Sequence, residues 1–340
     1  MTVQTATILT RLLPRNRDVV GVDIGLACVK AVRLRADRQG AIRLVAADIL
    51  PPVAAPTGTG SGRSLLPIPK ALQAWAAGVA YSFPGAVVKL LQLPADKVER
   101  SSYTDLLGLP KSGAHRIAHV ALESENRNEV PVIAVGVDEA DIEWLRSLMP
   151  PGKPALGAVE VSGLSVLAAY RRVCLDGATP RCDLVIDAGE RITTMTICFK
   201  GQPLVIRSFP QGAGTVAEQV MKDLRVAADT ARDILNVGSI DVRSSLHRVY
   251  DEFLRQLSIA VDFAERRSGH RIERIWLSGG LAGNQDFARE LRDQVGLEPQ
   301  TWDPWDRMEV SGAAVSEQAK SHAHGFHAAT GVALGLLEGK

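Results

Sequence analysis

Two aspartates of this chain stand two residues before a glycine, each at the end of a stretch of apolar residues. Asp23 and Gly25 end the first stretch, and Asp187 and Gly189 end the second. A glycine in a turn allows backbone N–H groups to approach a phosphate, and an aspartate at a strand end can orient water around Mg²⁺. A single Asp-x-Gly is also typical of an ordinary hairpin, because both residues favour turns for conformational reasons.

The two Asp-x-Gly turns occupy equivalent places in a weak internal repeat. Each turn lies between two predicted strands, and a third strand is predicted at 41–46 in the first copy and at 203–207 in the second. Two copies imply two similar lobes, which we expect to face each other with both turns on one ligand. The repeat therefore favours a nucleotide site over two unrelated hairpins.

Other residues near the turns extend this predicted site. Lys30 follows the first turn, and Thr193 with Thr194 follows the second. The loop 211–214 precedes a helix predicted at 213–224, and a Ser-Gly-Gly turn at 278–280 follows a strand predicted at 275–277. The glycines assigned to cofactor binding in these two loops are Gly212, Gly214, Gly279 and Gly280.

The remaining patterns complete an α/β architecture with a small inserted subdomain. Strands are predicted at 87–93 and 130–137 and a helix at 139–148, all within the insertion; a long helix is predicted at 242–268. The expected parts are a tail (1–18), a first lobe (19–86), the insertion (87–151), more of the first lobe (152–181), a second lobe (182–212), a helical part (213–270), more of the second lobe (271–316) and a return to the first lobe (317–340).

Composition excludes several classes of protein. The chain has 340 residues, with 39 basic and 38 acidic side chains, so it lacks the charge excess of a nucleic-acid binder. Four separate cysteines without CxxC spacing predict reduced thiols. No apolar run is long enough to span a bilayer. The histidines at 322, 324 and 327 do not favour zinc, because spacing of two does not place ligands on one helical face.

Residues 1–17 of the tail contain arginines but no acid, with apolar residues at 8, 9, 12 and 13 at helical spacing. Two interpretations stay open: a frayed terminus, or a short docking segment for a membrane surface or a partner.

The order of these motifs resembles that of the actin-like ATPases. The segments 21–30, 185–194, 275–283 and 328–335 look like the phosphate-1, phosphate-2, adenosine and second connecting motifs of that superfamily. Within it, the chain is most similar to the PilM family of type IV pilus assembly proteins, on Lys30, the pair of threonines after the second turn, Glu160 before a helix, and the Ala-Thr-Gly segment at 329–331.

The resemblance implies two RNase H-like lobes of the actin-like fold, with the relocated subdomain that PilM and FtsA carry. It also implies ATP with Mg²⁺ near Asp23 and Asp187, and Glu160 where related ATPases position the attacking water. The partner would be the cytoplasmic tail of a PilN-like inner-membrane protein, alongside other platform and motor subunits. The expected protein is cytoplasmic, lies against the inner membrane, and could form a homo-oligomer or ring.

Departures from the family pattern predict weakened nucleotide binding and doubtful turnover. Leu26, Ala27 and Cys28 stand where PilM-like first turns carry hydroxyl side chains, which donate hydrogen bonds to phosphate. Ala231, Arg232 and Asp233 replace a motif that would hold ribose and base. The alternative for Glu160 is a surface or interlobe carboxylate without a catalytic role, since most glutamates are merely solvated.

Three other functions compete with a pilus scaffold. A small-molecule kinase of the sugar-kinase type would need a catalytic aspartate beside a Gly-rich loop in the first lobe, and the sequence offers no good candidate. A cell-division protein of the FtsA type would continue into an amphipathic helix beyond Lys340. The cytoplasmic domain of a type II secretion L subunit stays open as a split-gene version.

Overall fold

A computed structural model describes residues 9–10, 17–53, 65–124, 128–175, 180–310 and 312–338. Its strands are β1 Leu9–Thr10, β2 Asp18–Ile24, β3 Val29–Ala36, β4 Ile42–Leu50, β5 Ala76–Tyr81, β6 Val87–Pro94, β7 His115–Ala121, β8 Glu129–Asp138, β9 Ala155–Val161, β10 Cys182–Ala188, β11 Thr193–Phe199, β12 Gln202–Phe209, β13 Ile272–Gly279, β14 Pro299–Thr301 and β15 Ala314–Val315. Its α-helices are α1 Tyr103–Leu107, α2 Glu139–Leu148, α3 Ser162–Val173, α4 Ala213–Leu224, α5 Ala228–Val237, α6 Arg243–Ser268, α7 Gln285–Val295, α8 Glu317–Ser321 and α9 His327–Glu338.

The two large sheets share one topology. In the first, the strand order β9-β5-β2-β3-β4 runs between two short edge strands, β1 and β15. In the second, the order is β14-β13-β10-β11-β12. Each copy has three antiparallel strands in sequence, followed on the other side by parallel strands. The internal repeat predicted from the two Asp-x-Gly segments is therefore confirmed.

The chain divides into two compact units, one formed by residues up to Cys174 and from Pro304 onward, the other by Leu175–Asp303. The chain returns to the first unit at Pro304, before the boundary predicted at 317. The cause is pairing of β15 with β4, together with burial of Trp305, whose indole N–H donates to Thr330 Oγ1 at 3.1 Å.

Helix α9 forms the centre of the first unit's core. It packs against β2, β3, β5 and α3, and nearly all its residues are buried, as expected of a helix that is apolar on every side. Close approach depends on small residues. A Cβ at Gly21 would lie 1.9 Å from the carbonyl oxygen of Ala329, so only glycine allows β2 to meet the helix.

The second unit packs its helices on the second sheet. Buried residues of α4, α5, α6 and α7 join those of β10, β11 and β13 in one apolar cluster. Tyr250 and Phe253 of α6 contact each other edge-on, with ring centroids 5.4 Å apart. Helix α7 is capped by the Asn284 side chain, which accepts from the Phe287 N–H, and it ends at Gly296.

The inserted segment forms a three-stranded antiparallel sheet in the order β6-β8-β7. One face packs on Tyr103 and Leu107 of α1 and on Leu109 just after it, and α2 packs against β7 and β8. The strand predicted at 130–137 is β8, which lies in the centre with partners on both sides. The edges of this sheet are therefore β6 and β7.

The N-terminal tail lies mostly outside the described residues, as does the glycine-rich loop at 57–62. Leu9 and Thr10 pair with Val159 and Ala158 as an antiparallel edge strand, so helical spacing was the wrong indication at this point. Within the described ranges, no helix combines the length and the apolar character needed to cross a membrane.

Candidate functional site

A row of polar side chains crosses the first sheet at the end of β2. Asp23 is paired with Lys30 on β3 and with Ala80 on β5, and Ala80 is paired with Glu160 on β9. Paired residues share a face, and neighbouring strands lie about 4.8 Å apart, so Asp23 and Glu160 stand about 10 Å apart on one face. The sheet thus brings three of the predicted site residues together.

The Asp23 carboxylate is largely buried and held by two partners. The Ser162 hydroxyl at the start of α3 donates to Oδ1 at 3.2 Å, and Lys30 Nζ lies 3.7 Å from Oδ2. Burial raises the pKa of Asp23, and the nearby Lys30 and Ser162 offset only part of that shift. The site therefore holds a carboxylate whose negative charge would be favoured by an additional cation.

Lys30 is positioned by the C-terminal segment of the first unit. A Cβ at Gly325 would lie 2.9 Å from the Lys30 Cε, so the hydrocarbon stem of the lysine packs against this glycine. Burial lowers the pKa of the neighbouring His324, and the charges of His322 and Lys30 lower it further. The lowered pKa favours the neutral form of His324 near the Lys30 ammonium.

Glu160 is buried, with 1% exposure, and Ser165 Oγ donates to its Oε2 at 2.8 Å. This burial does not fit an exposed surface glutamate, and carboxylates are rarely buried without specific partners. Glu160 is thus held in a fixed position on β9, with β5 between it and the strand of Asp23.

The second sheet carries the equivalent row. Asp187 is paired with Thr194 on β11 and with Ser278 on β13, and Thr194 is paired with Ser208 on β12. Ser278 Oγ donates to Asp187 Oδ1 at 2.9 Å, and the hydroxyls of Thr194 and Ser208 lie 3.2 Å apart. In each unit, therefore, a serine supports the aspartate that ends the first strand of the repeat.

Thr193 lies on the opposite face of β11 from Thr194. Its hydroxyl donates to the Gln211 carbonyl oxygen at 2.7 Å and lies 2.9 Å from the Tyr250 hydroxyl, and the residue is fully buried. The Thr193 side chain therefore holds the loop 211–214 through Gln211, and it has no exposed surface with which to contact a ligand.

The predicted glycines of the second unit converge on the turn after Asp187. A Cβ at Gly212 would lie 2.4 Å from the Gly189 carbonyl oxygen, and one at Gly280 would lie 3.3 Å from Ala213. Gly279 has a φ of +86°, a conformation that L-residues rarely adopt, and approaches Ala188 closely. With Gly214 at the start of α4, these residues form one cluster around Gly189.

The turn after Asp23 offers backbone groups but no hydroxyl. A Cβ at Gly25 would lie 2.8 Å from the Cys28 carbonyl oxygen, which explains the glycine. Leu26 is exposed and Cys28 is partly exposed. Any anion at this turn would depend on backbone N–H groups and on Lys30.

Sequence reasoning missed the contacts of three polar residues beside the two turns. Ser162 supports Asp23, and an ion pair between Glu190 and Arg232 lies beside the second turn, with Nη2 and Oε1 2.5 Å apart. Glu190 directly follows the Asp-x-Gly motif, so its position was a usable signal. The contact of Arg232 comes from α5 and is not visible in the sequence.

No group of three or more His, Cys, Asp or Glu side chains suited to a metal ion occurs among the residues with described positions. A divalent cation here would need ligands from water or from a bound phosphate. Mg²⁺ usually keeps several waters and takes only one or two carboxylates, so single aspartates fit that mode of binding.

Comparison with known proteins identifies a family and structures with a related fold. The family model described as "Type IV pilus assembly protein PilM" matches residues 158–336. A solved structure described as "PilM-PilN type IV pilus biogenesis complex" matches with a TM-score of 0.74 and 18% identity, over 95% of this chain and 99% of that chain.

Two weaker likenesses are to the ethanolamine utilization protein EutJ from Carboxydothermus hydrogenoformans and to MreB 5 of Spiroplasma citri bound to AMPPNP. EutJ matches with a TM-score of 0.46 and 15% identity, over 96% of this chain and 92% of its own. MreB 5 matches with 0.45 and 13%, over 85% of this chain and 92% of its own. The chain has the actin-like ATPase fold, and it belongs to the family of type IV pilus assembly proteins of the PilM type.

Proposed function

We propose that this chain is a nucleotide-binding scaffold of a type IV pilus, or related secretion, assembly platform at the inner membrane. The observation that carries the proposal is the duplicated row in which Asp23 and Asp187 end equivalent strands, each supported by a serine. Membership of the PilM family supplies the biological setting.

The proposed ligand is ATP, bound through the turns that follow β2 and β10. The turns at Gly25 and Gly189 and the Gly212–Gly214 loop would lie close to the phosphates, with Lys30 and Thr194 as side-chain donors. The Gly279–Gly280 turn would contact the nucleoside. The donor sets fit Mg²⁺, which Asp23 and Asp187 would hold through water, and the cation would supply charge neutralisation for the phosphates.

We expect hydrolysis to be slow. Glu160 would orient an attacking water, since its carboxylate is fixed by Ser165. The first turn lacks the hydroxyls that bind phosphate in relatives, so the terminal phosphate is held by fewer donors. Binding without rapid turnover suits a platform that a nucleotide stabilises.

The proposed partner is the cytoplasmic tail of a PilN-like inner-membrane protein. The related solved structure is a complex of PilM with PilN, which supports this assignment. Through such a tail the protein would lie at the cytoplasmic face of the inner membrane, where a homo-oligomer or ring and contacts with motor subunits are further parts of the proposal. A sugar-type kinase is not favoured, because the family model for type IV pilus assembly proteins of the PilM type matches more than half of the chain.

We place the tail at the edge strand β6 of the inserted sheet. Val88 and Leu90 are half-buried on the face of β6 that is shared with Ile133 and Val135 of β8. On the other edge, α2 packs against β7, and Arg116 of β7 forms a two-point ion pair with Glu139. An extended peptide can add to a free edge while its apolar side chains enter pockets on one face.

Two matched variants test this assignment. Leu90 and Val120 are both paired with Ile133, from opposite edges of the sheet, and both are half-buried. Leu90→Glu should weaken binding of a fluorescent PilN-like tail peptide at least about tenfold, because the charge replaces an apolar contact. Val120→Glu should leave the affinity within about twofold. Equal effects of the two variants, or none, would contradict docking at β6.

A further inference from the structure

The turn after Asp187 and the start of α4 are joined by backbone hydrogen bonds. Ala213 N–H donates to the Gly189 carbonyl at 2.9 Å, and Gly214 N–H donates to the Glu190 carbonyl at 2.8 Å. The first N–H groups of a helix have no partner within the helix and commonly bind anions. In this helix, two of these donors are already used by the turn itself.

The Glu190 side chain adds a negative charge at the same place. Its Oε1 lies 2.7 Å from the Cβ position that Gly214 would carry, so the carboxylate lies against the first turn of α4. An anion at a helix N-terminus is favoured by the helix dipole. The protein's own carboxylate thus occupies the electrostatic position that a phosphate would take at this helix.

Arg232 of α5 neutralises that carboxylate through both of its terminal nitrogens. Nη2 lies 2.5 Å from Oε1 and Nη1 lies 3.4 Å from Oε2. The hydrogen bond to Glu190 raises the pKa of Arg232, and burial offsets part of the shift. A guanidinium binds phosphate with the same two-point geometry as carboxylate, so the two anions are alternatives for one arginine.

We propose that Glu190 is an internal competitor for the phosphate chain, and that its ion pair with Arg232 sets the affinity of the second unit for nucleotide anions. The inference rests on the proposed nucleotide-binding function. When Glu190 holds Arg232, a phosphate at the turn meets a carboxylate and lacks a free guanidinium. Breaking this ion pair by removing the Glu190 charge would end the repulsion of the phosphate and would make the Arg232 guanidinium available to it. Both changes would strengthen phosphate binding.

The competitor should act on charge and not on the nucleoside. Adenosine has no phosphate, so its affinity should be indifferent to Glu190, whereas ATP carries the largest charge and should respond most. Arg232 supplies the gain, so removing both side chains should yield less than removing the carboxylate alone.

The test measures binding of Mg-ATP, Mg-ADP and adenosine by calorimetry to the full chain and its variants. Glu190→Gln should tighten Mg-ATP about tenfold, Mg-ADP less, and adenosine less than about twofold. The double variant Glu190→Gln with Arg232→Ala should lose most of the gain. Thermal unfolding without ligand checks that each variant is folded.

A matched control exists in the same unit. Glu290 pairs with Arg243 at 2.8 Å with side-chain exposures of 13% and 40%, close to the 18% and 46% of Glu190 and Arg232. Glu290→Gln makes the same change of charge and should leave all three affinities unaltered.

The outcomes separate this inference from the proposed function. If the unaltered chain binds Mg-ATP and Glu190→Gln binds no better than Glu290→Gln, the competitor role is wrong and nucleotide binding stands. If only Glu190→Gln binds, the competitor role is supported and nucleotide binding by the natural chain is refuted. If no variant binds any of the ligands, both proposals fail.

Discussion

The carboxylate of Asp23 is costly to ionise where it lies, although a serine and a lysine contact it. Asp18, at the other end of the same strand, has the opposite balance: burial opposes its ionisation, but Arg33 and Arg35 outweigh burial and lower its pKa. One strand therefore holds a carboxylate that stabilises the fold and another that is kept at some cost, as is common at functional sites.

Asp23→Asn should raise the thermal midpoint at pH 7 in the absence of nucleotide. The folded-state pKa of Asp23 lies above its unfolded value. Between these two pKa values the folded chain binds more protons than the unfolded chain, so it loses stability as pH rises through this range. Asparagine removes this loss and still accepts from Ser162. The gain in midpoint should shrink as pH falls toward about 4, where the unfolded carboxyl titrates.

Asp18→Asn provides the control of opposite sign. The lowered pKa of Asp18 means that its stabilisation is present above the unfolded value and is lost as pH falls through the folded one. This variant should therefore have a lower midpoint at pH 7. A lower midpoint for Asp23→Asn as well would show that the lysine and serine contacts outweigh burial at Asp23.

Residue types and spacing were sufficient to predict that the two aspartates lie at equivalent strand ends, because the repeat is visible in the sequence. Spacing could not predict which face each neighbour takes. Thr193 and Thr194 are adjacent and equally able to donate, yet only Thr194 shares the face of Asp187, and Thr193 supports the loop from below. Ser162 was missed because its contact joins residues 139 positions apart.

The elements with clear periodicity were predicted closely. The helices expected at 213–224 and 242–268 are α4 and α6, within one residue at each end. The errors occurred where tertiary pairing decides the outcome. Leu9 and Thr10 join a sheet edge despite their helical spacing. The central place of β8 in the inserted sheet could not be predicted, because strand order is not encoded in local patterns of the sequence.

Helix α9 can pack closely against α3 only because small residues line their contact. A Cβ at Gly331 would lie 1.7 Å from the Ser165 carbonyl oxygen, where backbone must move to make room. Gly331→Ala should destabilise the chain by about 2–3 kcal/mol, the usual scale of overpacking in a closed core. The check is the midpoint of urea unfolding.

Gly85→Ala is the matched control, since its Cβ would meet only Asp138 Oδ2, at 3.6 Å, an ordinary contact. Its unfolding midpoint should stay close to that of the unaltered chain. If Gly331→Ala were as stable as Gly85→Ala, the contact between α3 and α9 would be loose enough to adjust, and small residues would not be what allows α9 to pack so closely.

At the scale of the whole molecule, the residues retained in the two duplicated rows favour nucleotide binding, whereas the residues that are missing should slow turnover. Each unit keeps its aspartate, its supporting serine and its glycine turn, whereas the hydroxyls of the first turn are absent. Backbone donors and cations are sufficient to hold phosphates, but fewer fixed donors surround the transferred phosphate as charge develops. The chain should therefore bind Mg-ATP but hydrolyse it slowly.

Mg-ATP at about 100 times its dissociation constant should stabilise the folded chain by about 2.7 kcal/mol and raise the thermal midpoint by several degrees. Asp187→Ala should abolish the rise, because it removes the carboxylate proposed to orient water around Mg²⁺. Asp251→Ala, on an exposed part of α6, should retain it. Turnover without a partner should stay below about one per second, the low end of ordinary enzyme rates. Faster turnover would overturn the scaffold interpretation, and a rise that persists in Asp187→Ala would place the cation elsewhere.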